Sequence, residues 1–291
     1  MRQAFATRRK MKPKAEKQVS HLKKVNLGCG ANFHPDWINI DAIKQHPSII
    51  AFDLRKKLPF KSDSIDVIYH SHLLEHFESE QARDFLFECF RVLKPGGIMR
   101  VVVPDLEQIA RLYLDNLQKA KKGDRRSMEC YDWTVIELLD QVQRNIPGGK
   151  MAKYWRSMPL PAADFVEARV GDELINFRQR LATQGSLREE IPLLNKIKGR
   201  IFRFVSLLIP ARYSEALRIG RFRLSGEIHN WMYDEYSLMK ILSSAGFIKA
   251  KRMRANQSWI TDFGKYGLDI NGDGKARKPD SLFMETMKPI K

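Results

Sequence analysis

The sequence predicts an α/β protein built on a mainly parallel sheet. Three observations carry that expectation. Short apolar runs rich in β-branched and aromatic residues recur between residues 24 and 103, each closed by turn residues or an acid. Between them lie stretches whose apolar residues recur at three- and four-residue steps. A last helix and two strands return after a long segment with no strand signal.

The runs are Lys24–Leu27, Trp37–Ile40, Ile49–Phe52, Ile65–Tyr69 and Ile98–Val103. The first enters Gly28-Cys29-Gly30, the second ends in Asp41 and the third in Asp53. Ala82, Phe85, Leu86, Cys89, Phe90 and Leu93 make one helical stripe, with Ser79 as its N-cap and Pro95-Gly96 as its stop. Leu106, Ile109, Ala110, Tyr113, Leu114 and Leu117 make a second, ending in lysines that suit a helix C-terminus. From about 123 to 226 only helices are expected, over Trp133–Val142, Phe165–Phe177 and Leu193–Leu208. Asp234 caps a helix through Leu238 and Leu242, and Phe247–Met253 and Ser281–Met287 are the final strands. The expected organisation is a basic tail over 1–20, an α/β core over 21–122, a helical insertion over 123–226 and the rest of the core over 227–291. No internal repeat is visible.

The formal net charge is +17, and it is unevenly placed. Residues 1–24 carry +8, residues 25–110 carry −3, residues 111–226 carry +9 and residues 227–291 carry +3. Two basic regions thus flank a slightly acidic core, which points to attachments that meet something anionic. The three cysteines, Cys29, Cys89 and Cys130, form no CxxC pair. That excludes a disulfide scaffold and suits a reducing cytoplasm. No apolar run approaches the roughly 20 residues of a membrane-spanning helix, and the basic N-terminus lacks the apolar stretch of a secretory signal. The expected location is cytoplasmic, with peripheral contact at the inner face of the membrane as an addition.

A strand running into Gly-x-Gly lets backbone approach a ligand closely, and an acid ending the next strand can accept both hydroxyls of a ribose. Asp41 follows Gly30 by eleven positions, against about 20 in a dinucleotide fingerprint, so the first crossover helix is very short or absent. Val25-Asn26-Leu27-Gly28-Cys29-Gly30 resembles the first motif of class I S-adenosylmethionine-dependent methyltransferases. Phe52-Asp53-Leu54, then LPFKSDSIDVIYHSHLLEHF, resembles their third and fourth motifs, and RVLKPGGIMRVVVPD the helix and fifth strand that follow. The resemblance covers about residues 24–110 and resumes over 229–291. It is nearest to a small bacterial methyltransferase type 11-like group with a WINID strand, an HxWMYD segment and a late RKPxSLxxE strand, whose members often look like enzymes of surface-polysaccharide modification.

The resemblance implies a Rossmann-like, mostly parallel seven-stranded sheet with a helical insertion after strand five, and S-adenosyl-L-methionine as cofactor. By motif position Leu27, Gly28, Cys29 and Gly30 would pass under its methionine part. Asp41 would bind the ribose, Asp53 and Leu54 would bracket the adenine, and His70 and Ser71 would face the sulfonium. Alignment of acceptor, methyl and sulfur can supply about 7–11 kcal/mol. A hydroxyl acceptor gains a further 10²–10⁴-fold, roughly, from a base. His72 and His229 are the candidates, while His76 in LEHF reads as a loop brace.

No metal is expected from His70, His72 and His76, since no zinc pattern accompanies them. Asp269-Ile270-Asn271-Gly272-Asp273-Gly274 imitates half a calcium loop, but the better reading is a turn between strands. Leu193–Leu208 is either a core-packed helix or a basic amphipathic one at a membrane. Three functions follow: a methyltransferase acting on a hydroxyl of a saccharide or lipid-linked saccharide, a methyltransferase of RNA or protein, and a non-enzymatic module of the same fold. The intact glycines with Asp41 and Asp53 disfavour the last. Nucleic acid stays open as a partner because charge alone gives non-specific binding.

Overall fold

The computed structural model describes residues 22–183 and 210–290. The basic tail and Leu193–Leu208 therefore lie outside the described residues. The strands are β1 (Lys24–Leu27), β2 (Ile38–Asp41), β3 (Ile49–Ala51), β4 (Ile65–Ser71), β5 (Leu93–Pro104), β6 (Ile248–Met253) and β7 (Ser281–Met287). They form one seven-stranded sheet in the order β3-β2-β1-β4-β5-β7-β6. Neighbours among β1 to β5 pair in parallel, and β7 runs antiparallel to both β5 and β6. This is the mostly parallel, Rossmann-like α/β architecture expected. The order reverses between β1 and β4, so the crevice at their carboxyl ends is where such a sheet takes a ligand.

The two faces of the sheet are covered differently. On one, helix α1 (Ser79–Val92) buries Ala82, Phe85, Leu86, Cys89 and Val92 against Leu27, Ile68 and Val101. The C-terminal helix Glu235–Ser244 adds Leu238 and Leu242 to the same core. Asp234 does cap it: its carboxylate accepts from Ser237 N, and the Ser237 side chain returns a bond to the cap backbone. Helix α1 differs by one residue from expectation, since Glu78 occupies the N-cap and Ser79 is the first helical residue. The chain then passes directly from Val92 into β5, which starts before Pro95-Gly96 because Leu93 already pairs with Ile65.

The opposite face carries a second apolar cluster. There Trp37, Tyr69, Val102 and Phe283 pack with Ile260, Phe263, Tyr266 and Leu268 of the β6–β7 connection. An aromatic loop thus does the work of a helix, with Trp37 edge-on to Tyr69, Phe263 and Tyr266. Arg100 on β5 holds that loop down. Its fully buried guanidinium donates to Asp269 Oδ2 at 2.6 Å, Glu285 Oε1 at 2.8 Å and the Gln257 carbonyl at 2.8 Å. The turn imitating a calcium site follows: Asp269 is taken by Arg100 and Tyr69, while Asn271 and Asp273 accept from Lys275 N.

After β5 comes the helical layer: α2 (Leu106–Lys121), α3 (Arg125–Gln143), α4 (Gly149–Trp155), α5 (Ala163–Val170) and α6 (Asp172–Thr183), then α7 (Ala211–Arg223). Helix α2 lies along α3, so the helix before residue 123 packs with those after it. Trp133, Met151, Trp155, Leu160, Val166, Val170 and Leu174 give it a core of its own. The single helix expected over Phe165–Phe177 is broken in two. Gly171 takes a left-handed conformation (φ +54°), and a Cβ there would lie 2.6 Å from the Arg277 carbonyl and 2.7 Å from Pro279. The break lets Asp172 N donate to the Arg277 carbonyl at 2.9 Å, docking the helical layer on the segment before β7.

Replacing Arg100 by Leu removes the charged donor from two buried carboxylates and three carbonyls of the aromatic loop. The expected cost is about 3–5 kcal/mol, read as a lower midpoint in urea unfolding; an unchanged midpoint would remove Arg100 as the anchor of the loop.

Candidate active site

At the carboxyl ends of β1 and β4, a cavity of about 840 Å³ lies between sheet and helical layer. From the core it is lined by Asn26, Gly28 to Asn32, Tyr69, Ser71 and His72, and from the helical layer by Gln141, Arg144, Met151, Trp155, Asn176 and neighbours. Arg277, Lys278 and Asp269 close it from the β6–β7 connection.

The glycine turn is built by its neighbours. Gly28 and Gly30 both have positive φ (67° and 51°), and Gly28 N donates to the Ile40 carbonyl at 2.8 Å. Gly28 presses on Leu73, where a Cβ would lie 2.9 Å from Cδ1; at Gly30 a Cβ would project into open space. The Asp41 carboxylate accepts from Gly30 N at 2.8 Å through one oxygen and from Ile43 N at 3.0 Å through the other. Each oxygen keeps a further lone pair, so Asp41 can shape the turn and still accept ribose hydroxyls. The absent first crossover helix is confirmed: β1 reaches β2 through residues 28–37 alone.

Two asparagines that sequence reasoning missed hold this connection. Asn26 donates to the Asn32 carbonyl at 3.1 Å, and Asn39 to the carbonyls of His34 and Trp37, both at 2.9 Å. Both side chains are buried. The signal was available, because a polar residue inside a short buried strand needs a partner nearby.

Of the residues singled out for the cofactor, Gly28, Cys29, Gly30 and Ser71 line the cavity. Leu27 is fully buried one step behind the turn. The Cys29 thiol is pushed up to about 11 by burial and by the negative Asp41, so it is a neutral lining group and not a nucleophile. Asp53 sits outside the lining; Arg55 grips it through Nε at 2.8 Å and Nη2 at 3.0 Å and holds its carboxyl below the usual range. Leu54 packs into the main core. His70 does not face the cavity: β4 turns it to the opposite side of the sheet, edge-on to Phe85, and it is fully buried. Alternation along a strand is the reason, since Tyr69 and Ser71 point one way and His70 the other.

The two candidate bases part company. His72, in a left-handed conformation at the end of β4, lines the cavity with Nε2 2.8 Å from Ser281 Oγ. Ser281 Oγ lies 3.4 Å from Asp280 Oδ1. Burial, with Lys278, His229 and His76 nearby, holds the His72 ring well below the ordinary histidine range, so it is neutral at neutral pH. His229 is buried behind the wall, its ring 4.8 Å from that of His76, and is not part of the lining. His76 does brace the loop, through Nδ1–H to the Ile228 carbonyl at 2.9 Å.

Residues 25–101 match the family model described as a methyltransferase domain. A probable S-adenosylmethionine-dependent methyltransferase of Mycolicibacterium smegmatis is 43% identical over 49 residues, which are 17% of this chain and 18% of that protein. The chain thus aligns with under a fifth of the length of that relative. Among solved structures, a SAM-dependent methyltransferase from Archaeoglobus fulgidus is 9% identical with a TM-score of 0.36, over 92% of this chain and 86% of that one. The methyltransferase in complex with an activator from Haloferax volcanii is 11% identical with a TM-score of 0.38, over 92% and 83%.

The match over residues 25–101 to a methyltransferase domain falls on the parallel half of the sheet, from β1 into β5, and so includes the glycine turn. Among the described residues no helix is long and apolar enough to cross a membrane.

His70 supplies a check on its own placement. Burial lowers its pKa from 6.5 to about 3, so the folded state binds fewer protons than the unfolded state between those values. Its contribution is present above pH 6.5 and lost as pH falls toward 3. Replacement of His70 by Leu should flatten the acid-side decline in unfolding free energy across that window; an unaltered decline would put His70 in contact with solvent.

Proposed function

We propose that the protein is an S-adenosylmethionine-dependent methyltransferase acting on a hydroxyl of a saccharide or lipid-linked saccharide. The observation that carries this reading is the mixed lining of the cavity at the carboxyl ends of β1 and β4. One wall is the glycine turn, which Asp41 braces from outside the lining; the other presents Trp155 with Gln141, Asn176 and Asp172. An aromatic face with planar amides and a carboxylate suits the apolar face and hydroxyl rim of a sugar ring. The end of β4 and the segment after it read HSHLLEH, which resembles no base-holding motif of the NPPY kind.

Bound S-adenosylmethionine supplies an electrophilic methyl group. The turn of Gly28 to Gly30 would carry the cofactor's methionine part, and Asp41 its ribose. Tyr69, held by Asp269 Oδ1 at 2.6 Å, and Asn26 keep the floor of the cavity fixed. His72 stands between the two walls. Its unprotonated ring is the form that can take a proton from an acceptor hydroxyl, and Ser281 orients it. The helical layer forms the facing wall of the cavity and is anchored there by Lys278 to Glu173 at 3.3 Å and Arg277 to Asp172 at 3.5 Å. The positive charge of 111–226 favours an anionic acceptor or an anionic membrane surface beside it.

Two measurements test this. Isothermal titration should show S-adenosylmethionine binding weakened by about 1.5–3 kcal/mol in Asp41→Ala, the loss of hydrogen bonds to a charged group; no binding by the wild type would end the reading. On a panel of saccharide and RNA acceptors, His72→Ala should cut kcat about 10²–10⁴-fold while cofactor affinity stays within twofold, roughly. Methyl transfer to RNA and not to any saccharide would move the acceptor class.

A further inference from the structure

Behind the cavity wall, Glu75, His76 and His229 converge without a task in the reaction above. Each offers one ligand atom, and these atoms lie within 4.8 Å of one another. Glu75 is fully buried, and neither carboxylate oxygen has a hydrogen-bond partner among the described residues. Nδ1 of His229 is likewise buried and without one. A buried, unpaired carboxylate is costly, and native structures keep such a group for a partner.

We propose that Glu75, His76 and His229 form a binding site for a divalent transition-metal ion of the zinc type. The donor set is two imidazoles and one carboxylate, which suits such an ion and leaves a coordination position for water. His76 is already oriented for it. Its Nδ1–H is held by the Ile228 carbonyl at 2.9 Å, which leaves the Nε2 lone pair as the ligand, the usual outer-sphere arrangement of a metal-bound histidine.

The backbone carrying these residues is clamped before any ion arrives. Asn230 N and Trp231 N donate to the Glu75 carbonyl at 2.7 and 3.2 Å, Asn230 Nδ2 to the His76 carbonyl at 2.8 Å, and His229 N to the Gln141 carbonyl at 3.0 Å. The site therefore joins three parts of the chain: the segment after β4, the return from the helical layer, and α3. The charges that act on it are mixed. Lys278 and Arg144 are near, but so are Glu173, Glu227 and Asp280, and Arg144 and Lys278 are paired with Glu227 and Glu173. His72 Nδ1 lies 3.4 Å from Glu75 Oε1. That contact is too long for a good hydrogen bond, and it would link the ion to the cavity wall.

The test uses the full chain, stripped with a chelator and then titrated with Zn²⁺ against a chromogenic competitor, and with Co²⁺ followed by visible absorption. One equivalent should bind, and the Co²⁺ spectrum should lack a thiolate charge-transfer band, which sets the site apart from Cys29, Cys89 and Cys130. Glu75→Gln and His229→Gln should each weaken binding at least as much as the about 10–100-fold seen for losing an outer-sphere partner. Replacing both His34 and His46 by Gln should leave it unchanged. Three results would overturn the proposal: no Zn²⁺ or Co²⁺ bound by wild type of native circular dichroism, a thiolate band, or loss of binding in the His34 and His46 variant alone. Because the wild-type stoichiometry and spectrum decide by themselves, a ligand variant that fails to fold does not blunt the test.

Discussion

The burial of Arg100 in the middle of the sheet is the constraint on which the rest of the molecule leans. A guanidinium at that depth is tolerable only with charge and hydrogen bonds on every side. Asp269, Glu285 and three loop carbonyls supply them, with the Phe263 ring 4.8 Å away. Because all of those partners but Glu285, which stands on β7, come from the β6–β7 connection, satisfying Arg100 brings that connection down on the sheet. The aromatic layer of Trp37, Tyr69, Phe263 and Tyr266 then closes in place of helices.

The same network reaches the ligand cavity. Asp269 accepts from Tyr69 as well as Arg100, and both Tyr69 and Asp269 line the cavity. Burial raises the Asp269 carboxyl even with Arg100 beside it, and it raises the Tyr69 hydroxyl strongly, which keeps the phenol protonated. Next to it, Asn32 donates to the Leu268 carbonyl at 2.8 Å. The loop after the glycine turn and the loop after β6 are thus one floor, made rigid by a residue that itself touches no ligand.

The helical layer shows how a second core can be added without a separate domain interface. Its apolar centre around Trp133 and Trp155 is its own. Its attachment to the segment before β7 is polar: Gly171 admits the Arg277 carbonyl, which accepts from Asp172 N, and Arg277 and Lys278 pair with Asp172 and Glu173. Polar attachments of this kind fix orientation while the apolar core supplies stability, and between them they leave a cavity in place of a packed seam.

Much of this was legible in the residues themselves. Strand positions, the missing first crossover, the capping by Asp234 and the glycine turn with Asp41 follow from local rules: period two, turn chemistry and spacing. These are short-range consequences of backbone sterics and hydrogen bonding, and a sequence carries them directly. What lay beyond it depends on contacts between distant segments. The partner of Arg100 is 169 positions away, and the break at Gly171 answers to a carbonyl at 277. His70, His72 and His229 look alike as letters, but strand alternation sends His70 into the core, a left-handed turn puts His72 at the cavity, and the return from the helical layer buries His229 beside Glu75 and His76. The sequence by itself determined which elements form and what cofactor chemistry the first of them suits; only the tertiary structure decided which polar side chain meets which, because that depends on desolvation and distance across chain segments that no local pattern encodes.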